Sequence, residues 1–374
     1  MDRSKLQVAL ESAVGWLQNT AINRNHTPIG THGAGMPTTF WRGAVRGEYR
    51  AATREWGCLC PIWHTGQAVK ALALAGQVSE ARFCAGFILA NQRDDGLILA
   101  FEDHTDAVNT SAILESLDGL LSLPESKYRQ AAIAALEWVA ANAWDPEKKH
   151  FNDVYDPAVN AFRFNVRGAQ GRPLLDDAMF IKGWRLTGRR HFLDIALATA
   201  ETLLANEGPP GNWVKYIPCN AANGSIHPRH AYWWGLPMLE VFRETGDQRH
   251  RDLFIRSVSW YRQAMRRDGG LFRGTYTDFN TDSFGHATSG VAGAVIAFLE
   301  YRRETGDDSI TPYIDRGLEF CMRMQFTKTA DRNLQGAILE KVLPPDGTDS
   351  LPYHIRDLGT IFFIQAAAKY LAEA

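Results

Sequence analysis

The chain is short of several things, and each shortage narrows what it can be. It has only five cysteines in 374 residues: Cys58, Cys60, Cys84, Cys219 and Cys321. An odd, scattered set excludes a disulfide-built scaffold and fits a reducing compartment. Cys58-Leu59-Cys60 has no second Cys or His pair at zinc spacing, so it reads as buried thiols rather than half of a metal site. Net charge is also small. Forty basic against 42 acidic residues leave −2, too little to favour nucleic acid or an anionic membrane. No apolar run is long enough to span a bilayer, and Met1-Asp2-Arg3-Ser4-Lys5 leads into an amphipathic stretch rather than a secretory apolar core. The expectation is a cytoplasmic protein with neither a membrane nor a nucleic-acid partner. No Pro/Ser-rich linker divides it, so residues 1–374 are expected to form one domain, as a monomer or a homodimer.

What the chain does have is apolar residues, at 45% against 22% charged, in a repeating arrangement. Leu74-Ala75-Gly76-Gln77, Leu186-Thr187-Gly188-Arg189, Glu244-Thr245-Gly246-Asp247 and Glu304-Thr305-Gly306-Asp307 each close a helix-length stretch. Glycine there suits a left-handed C-cap. One set of stretches is apolar on most faces: Pro61–Gly76, Asp106–Leu123, Pro173–Gly188, Tyr232–Gly246, Ser289–Gly306 and Asp357–Ala372. Helices of that kind are buried. A second set has one wet face: Lys5–Asn19, Glu80–Gln92, Lys127–Trp144, Arg190–Asn206, Arg249–Arg267 and Ile310–Gln325. Inner and outer helices alternate strictly, which predicts an all-α (α/α)6 toroid, a six-hairpin barrel. Outer-to-inner connections are long and returns are short. Long loops in compact domains are usually functional, so the inner-helix N-termini form the expected working face.

The residues at that rim are Glu55, Trp56, Trp63 and His64, then His104, Asp106 and Asn109, then Asp176 and Asp177. Arg229, His230, Trp233 and Trp234 follow, then Asp282 and His286, then His354, Arg356 and Asp357, with Trp41, Trp213 and Tyr216 in the loops above. Aromatic faces beside hydrogen-bonding groups suit a sugar. Each tryptophan has a plainer use as a core anchor, and Asp106 and Asp357 as helix caps. Asp176 and Asp177 lie next to Leu174 and Leu175 in a helix expected to open at Pro173. An acid in apolar surroundings has the raised pKa that general-acid work needs.

Three segments resemble the six-hairpin glycosidase group, and within it the unsaturated glucuronyl and unsaturated rhamnogalacturonyl hydrolases. Leu175-Asp176-Asp177-Ala178-Met179-Phe180-Ile181-Lys182-Gly183 is similar to an inner helix of those enzymes, and the likeness places Asp177 on their acid/base. Arg229-His230-Ala231-Tyr232-Trp233 keeps the spacing of their substrate-binding Arg-Gly-x-x-Trp, with His230 in place of the glycine. Gly359-Thr360-Ile361-Phe362-Phe363-Ile364 resembles their last inner helix. Their His-Asp pair stands here as His104-Thr105-Asp106, and residues 25–60 have no counterpart.

The resemblance implies a hydrolase of oligosaccharides that end in a 4,5-unsaturated uronic acid. Asp177 would protonate the double bond at carbon 4 and assist water attack at carbon 5, and the resulting hemiketal would collapse. No metal or cofactor is implied. Asp106 would be the second acid. Arg229, His64 and His286 would meet the uronate carboxylate, with Trp41, Trp63, Asp176, Trp213, His230, Trp233, Trp234 and Arg356 around the sugar. Ordinary glycoside hydrolysis would use Asp106 and Asp177 as a flanking pair. Three other functions remain open on the same ring. A lyase or epimerase would take its base from His230, Tyr232, His286 or His354. A prenyl-binding, terpene-cyclase-like toroid is suggested by Ile88–Gln92 followed by Asp95-Gly96, but no Asp-x-Asp-Asp motif accompanies it. The last is a non-catalytic carbohydrate-binding toroid.

Overall fold

The computed structural model describes residues 1–38, 40–102, 106–163, 171–222, 224–272, 274–280, 287–340 and 354–373. Helices alternate around a ring. The chain opens with α1 (Arg3–Trp16), prolonged by a π-helical turn at Leu17–Ala21, and a short α2 (Gly30–Ala34). The hairpins follow as α3 (Pro61–Leu74) with α4 (Val78–Ala90), α5 (Thr110–Leu121) with α6 (Ser126–Asn142), and α7 (Met179–Thr187) with α8 (Arg190–Ala205). Next come α9 (Met238–Thr245) with α10 (Gln248–Ala264) and α11 (Thr288–Thr305) with α12 (Thr311–Arg323), and α13 (Asp357–Ala372) packs on both α1 and α3 to close the circle.

Burial divides the two sets as the pattern predicts. The first twelve residues of α11 and of α13 are buried without a break, whereas α10 buries one stripe. Gly188, Gly246 and Gly306 are the left-handed C-caps. Gln92 Nε2 donates to the carbonyls of Gly96 (3.0 Å) and Ala131 (2.9 Å), and Gln325 Nε2 does the same to Gly336 (3.1 Å) and Ala9 (2.9 Å). The cyclase-like segment at residues 88–96 is thus a staple between neighbouring hairpins, used twice in the ring. Among the described residues, no helix is long and apolar enough to cross a membrane.

Strands occupy the outer-to-inner connections. β1 (Gly47–Arg50) lies between β2 (Glu55–Cys58) and β9 (His354–Arg356). The other two sheets run β3 (Val108–Asn109), β6 (Val154–Asp156), β7 (Ala161–Phe162), and β4 (Trp144–Asp145), β5 (His150–Asn152), β8 (Gly171–Arg172). All three gather at the N-terminal ends of inner helices. The register sets Arg356 opposite Glu48 and Arg172 opposite Phe151.

Three inner helices begin later than the periodicity suggests. α5 starts at Thr110, because β3 occupies the preceding residues and leaves Asp106 in a loop. Pro237 has no N–H for the carbonyl four residues back, and the ladder widens to a π-helical turn at Ala231–Gly235 before α9 begins. Asp176–Ala178 is a 3-10 turn, not helix interior: Asp177 and Ala178 both have left-handed backbones, φ 49° and 52°, and α7 starts only at Met179.

The tightest helix contact in the ring is α3 against α5. A methyl on Gly66 would come 2.4 Å from Ser116 Cα, and one on Gly119 would come 2.1 Å from the Gly66 carbonyl oxygen. Backbone cannot yield as a side chain does, so Gly66→Ala or Gly119→Ala should destabilise by at least the ~1–3 kcal/mol typical of overpacking. Thermal unfolding of each against wild type measures it, with Gly86→Ala, which meets nothing within 4 Å, as the control.

Candidate functional site

Trp233 lies on the π-helical turn and Arg229 just ahead of it, and α3 brings Trp63 to meet them. The two indole centroids lie 6.3 Å apart, and the Arg229 guanidinium sits 5.2 Å from Trp63 and 4.8 Å from Trp233. Such cation–π contacts are worth ~0.5–2 kcal/mol each and hold the charge without using its hydrogen bonds. The guanidinium donates to no described residue, and its Nε and Nη1 are buried. The indole Nε1 atoms of Trp63 and Trp233 are likewise buried without a partner among the described residues. His227 stacks on Trp233 at 6.1 Å and accepts from the Arg229 backbone N–H, 3.2 Å.

Acids surround this cation. Asp176 is buried, and its Oδ2 has no partner among the described residues. Burial pushes its carboxyl up to about 7, Arg172 opposes the shift, and Asp177 and Asp153 add to it. Glu115, buried on α5, is raised well above the carboxylate range by burial and by Asp176, with Arg229 opposing. Arg172 is held by Asp153 (Nε to Oδ2, 2.8 Å) and Ser111 (2.9 Å). Glu340 accepts from the Ser289 backbone N–H (2.8 Å) and hydroxyl (2.6 Å) and lies within the field of Arg229. On the neighbouring arc His64 Nδ1 is 2.5 Å from Asp357 Oδ1, while Asp357 Oδ2 accepts from Gly47 N–H at 2.8 Å. His64 Nε2 is buried and unpartnered among the described residues. Orphaned buried polar atoms are rare in native folds, and Trp63, Asp176, Arg229 and Trp233 each contribute at least one here.

Of the expected site residues, Trp63, His64, Asp176, Arg229 and Trp233 come together. Arg356 stands at the edge, 3.5 Å from Glu48. Others are placed elsewhere. Trp41 donates to the Thr38 carbonyl (3.1 Å) and packs on Phe87. Trp213 donates to the Leu203 carbonyl (2.8 Å), and Trp234 stacks on His230 at 4.2 Å. His230 is buried between the carbonyls of Trp213 and Ile217, both 3.1 Å away, and burial with Arg172 lowers its pKa to about 3. These four are core residues: Trp213, His230 and Trp234 pack on one another, and Trp41 packs separately on Phe87. Asp106 is 68% exposed on its loop and paired with Arg163 at 2.7 Å. The residue expected as the second acid thus stands on an exposed loop. Asp177 bonds elsewhere, though its charge still acts on Asp176 and Glu115. Its carboxylate binds Lys70 Nζ (2.8 Å) and Gln67 Nε2 (3.1 Å). His104, Asp282 and His286 lie outside the described residues. Glu115, Arg172 and Glu340 enter as residues the sequence did not single out.

All five cysteines are buried and free, and burial pushes the Cys58 thiol up to about 12. Among the described residues one trio has ligand spacing, Glu201, Asp247 and His250. Arg249 already bridges both of its carboxylates, at 2.7 and 2.6 Å, on the outer wall.

No family model matches the chain, and no curated protein sequence matches it. Solved structures do. An unsaturated glucuronyl hydrolase specific for heparin is 14% identical over 98% of this chain and 97% of its own, with a TM-score of 0.70. The cellobiose 2-epimerase of Spirochaeta thermophila is 12% identical over 99% and 96%, TM-score 0.68. A D-mannose isomerase is 12% identical over 98% and 97%, TM-score 0.63. The chain has the fold of these proteins, the (α/α)6 toroid of the six-hairpin group. At such identity the likeness establishes architecture and leaves the reaction to be argued from the site.

A proton held on Asp176 has a consequence for stability. Between the ordinary carboxylate range and about 7, the unfolded chain has shed this proton while the folded chain keeps it. The folded state therefore binds more protons, and stability falls as pH rises across that window. Asp176→Asn removes the effect. Melting curves should show the variant more stable than wild type at about pH 8 and level with it near pH 4. An equal difference at both pH values would mean that Asp176 is not held protonated.

Proposed function

We propose that the chain is a glycoside hydrolase acting on oligosaccharides that end in a 4,5-unsaturated uronic acid, with Asp176 as the acid. The observation that carries this reading is one juxtaposition. A buried carboxyl that keeps its proton near neutral pH stands in the same cluster as an arginine whose guanidinium donates to no described residue. Arg229, pinned between two indoles, offers charge-assisted hydrogen bonds to the uronate carboxylate. The Nε1 donors of Trp63 and Trp233 serve hydroxyls or ring oxygen.

The chemistry follows from the vinyl ether of such a sugar. The Asp176 carboxyl gives its proton to carbon 4, and the ring oxygen stabilises the cation left at carbon 5. Water adds at carbon 5 and returns a proton to the Asp176 carboxylate, which restores the acid. The product is a hemiketal, whose ring opens and expels the neighbouring sugar. A carboxyl with its pKa near 7 can both give and retake a proton at neutral pH. Burial keeps that value high, and the negative charges of Asp177 and Asp153 add to it by disfavouring ionised Asp176.

Incubation with the products of a uronate-forming polysaccharide lyase should remove the ultraviolet absorbance of the conjugated double bond. Asp176→Asn should lower kcat by about 10²–10⁴-fold, and the wild-type rate should decline as pH rises through about 7. Arg229→Lys should raise KM by about tenfold or more, from the ~1.5–3 kcal/mol of a charge-assisted bond. Asp106→Asn should change neither constant. Full activity in Asp176→Asn would sink the assignment.

One observation favours a second reading, an aldose–ketose isomerase or 2-epimerase. His64 Nδ1 lies 2.5 Å from Asp357 Oδ1, Nε2 has no partner among the described residues, and the ring lies 5.1 Å from Trp63, which makes His64 the candidate base. Deuterium uptake at carbon 2 of a reducing sugar in heavy water, followed by NMR and abolished by His64→Gln, would establish that reading in place of the first.

A further inference from the structure

Two consecutive acids, Asp176 and Asp177, have different partners: the Asp177 carboxylate is bonded to Lys70 and Gln67, while Asp176 Oδ2 has none among the described residues. The backbone explains how. Asp177 and Ala178 are left-handed in succession, a conformation that costs a non-glycine residue ~1–2 kcal/mol. Surrounding bonds must over-determine such a turn for it to persist. The Ala178 N–H donates to the Leu175 carbonyl at 3.0 Å, and the Asp177 carboxylate takes Lys70 Nζ on one oxygen and Gln67 Nε2 on the other. Gln67 and Lys70 are three apart on α3 and so share a face.

Both clamps are anchored in turn. Gln67 Nε2 also donates to the Glu115 carbonyl (2.6 Å), and Gln365 Nε2 from α13 donates to Gln67 Oε1 (3.0 Å). Lys70 also binds Asp118 of α5 at 2.8 Å, and Asp118 binds Lys182 of α7. Burial works against the Asp118 charge, but Lys182 and Lys70 overcome it and hold its carboxyl far below the usual range. Asp177 thus lines a cavity of about 150 Å³, together with Lys70, Asp118, Lys182 and Tyr232, among the C-terminal halves of the inner helices.

We infer that Asp177 is a positioning residue: clamped by Lys70 and Gln67, it fixes the left-handed turn that directs Asp176 into the Arg229 cluster. The inference rests on the reading of Asp176 as the acid. The charged groups around Asp176 are Arg172, Asp153, Asp177 and Glu115, with Arg229 next to Glu115.

The test separates position from charge. Lys70→Met deletes a positive charge, and electrostatics alone would then raise the Asp176 midpoint. A loosened turn would let the carboxyl reach water, and its midpoint would fall toward the ordinary range. The midpoint is read by NMR titration of carbon-13-labelled aspartate, with Asp176→Asn to assign the signal, and needs no substrate. The expected result for Lys70→Met is a fall in midpoint, with kcat reduced between about 10- and 100-fold, KM within about twofold, and recovery of both readouts in Lys70→Arg. Gln67→Met changes no charge and should shift the midpoint the same way, which keeps the test decisive if Lys70→Met does not fold. An unchanged or raised midpoint overturns the inference. So does loss of turnover in Asp177→Asn with Asp176 still titrating as in wild type, since Asp177 would then be the acid itself. A fall in midpoint in a protein whose wild type turns over no unsaturated uronide would keep the positioning role and discard the hydrolase reading.

Discussion

Lys70 lies deep in the wall of the ring with an aspartate on either side, and the arrangement at both ends depends on that triple. A buried ammonium is tolerated only if its charge is matched, and a buried carboxylate likewise. Desolvation alone would strip the proton from Lys70, yet Asp118 and Asp177 raise its pKa well above the ordinary value. Breaking any one member would leave an uncompensated charge among apolar helices. The triple therefore behaves as a fixed strut. It ties α3 to α5 and to the turn ahead of α7, the same elements that Gly66 and Gly119 bring into backbone contact.

The two ends of the ring treat their charges in opposite ways. Around Lys70 every cation has a carboxylate partner: Lys182 with Asp118, Arg243 with Glu240, Lys369 with Glu300. Around Arg229 the donors are left open. Its attraction to Glu340 and Glu115 acts through space, without a hydrogen bond to any described residue. Leaving buried donors open costs the fold stability, and such costs concentrate where a ligand supplies the missing partner. The contrast between a closed network and an open one separates structure from function here better than burial does, since both sets of residues are buried.

Much of the ring was legible in the sequence because its signals are local. The Thr-Gly-Asp and Thr-Gly-Arg punctuation reports left-handed C-caps, and the all-apolar stretches report helices with no wet face, down to the limits of α13 at Asp357 and Ala372. Side-chain direction was less legible. The period of an unbroken helix from Pro173 gives no reason for neighbouring acids to part, and the left-handed pair Asp177–Ala178 that parts them leaves no glycine as its trace. The aromatics divided for a similar reason. Trp63 and Trp233 reach the cluster while Trp41, Trp213 and Trp234 fill the core, and composition cannot tell a tryptophan packed against an arginine from one packed in the core. Glu115 was within reach: an acid in the run Ala-Ile-Leu-Glu-Ser-Leu of an inner helix is a buried charge in want of a reason. Arg172 and Glu340 were not, because their partners, Asp153 and Ser289, are brought to them only by the sheet and by the loop ahead of α13.

The choice between proton donation and proton abstraction turns on which groups hold protons at neutral pH. Burial raises the Asp176 carboxyl to about 7 and Glu115 well above the carboxylate range, with Asp176 adding to the Glu115 shift, so this arc of the cluster is disposed to give protons. His230, the histidine nearest the arginine in sequence, is disposed to do neither. Its ring is fixed between carbonyls, and its pKa near 3 keeps it neutral. Among the described residues, His64 has a carboxylate close to Nδ1 and a buried Nε2 without a partner, and its ring lies beside Trp63. One ring thus presents a donor arc and an acceptor arc. Which of them a sugar meets first is decided by where Arg229 holds its anionic end. A carboxylate bound at Arg229 lies beside Glu115 and Asp176, which must then stay protonated to avoid repelling it. An acidic substrate therefore reinforces the very protonation state that the hydration chemistry requires, whereas a neutral aldose would gain nothing from it.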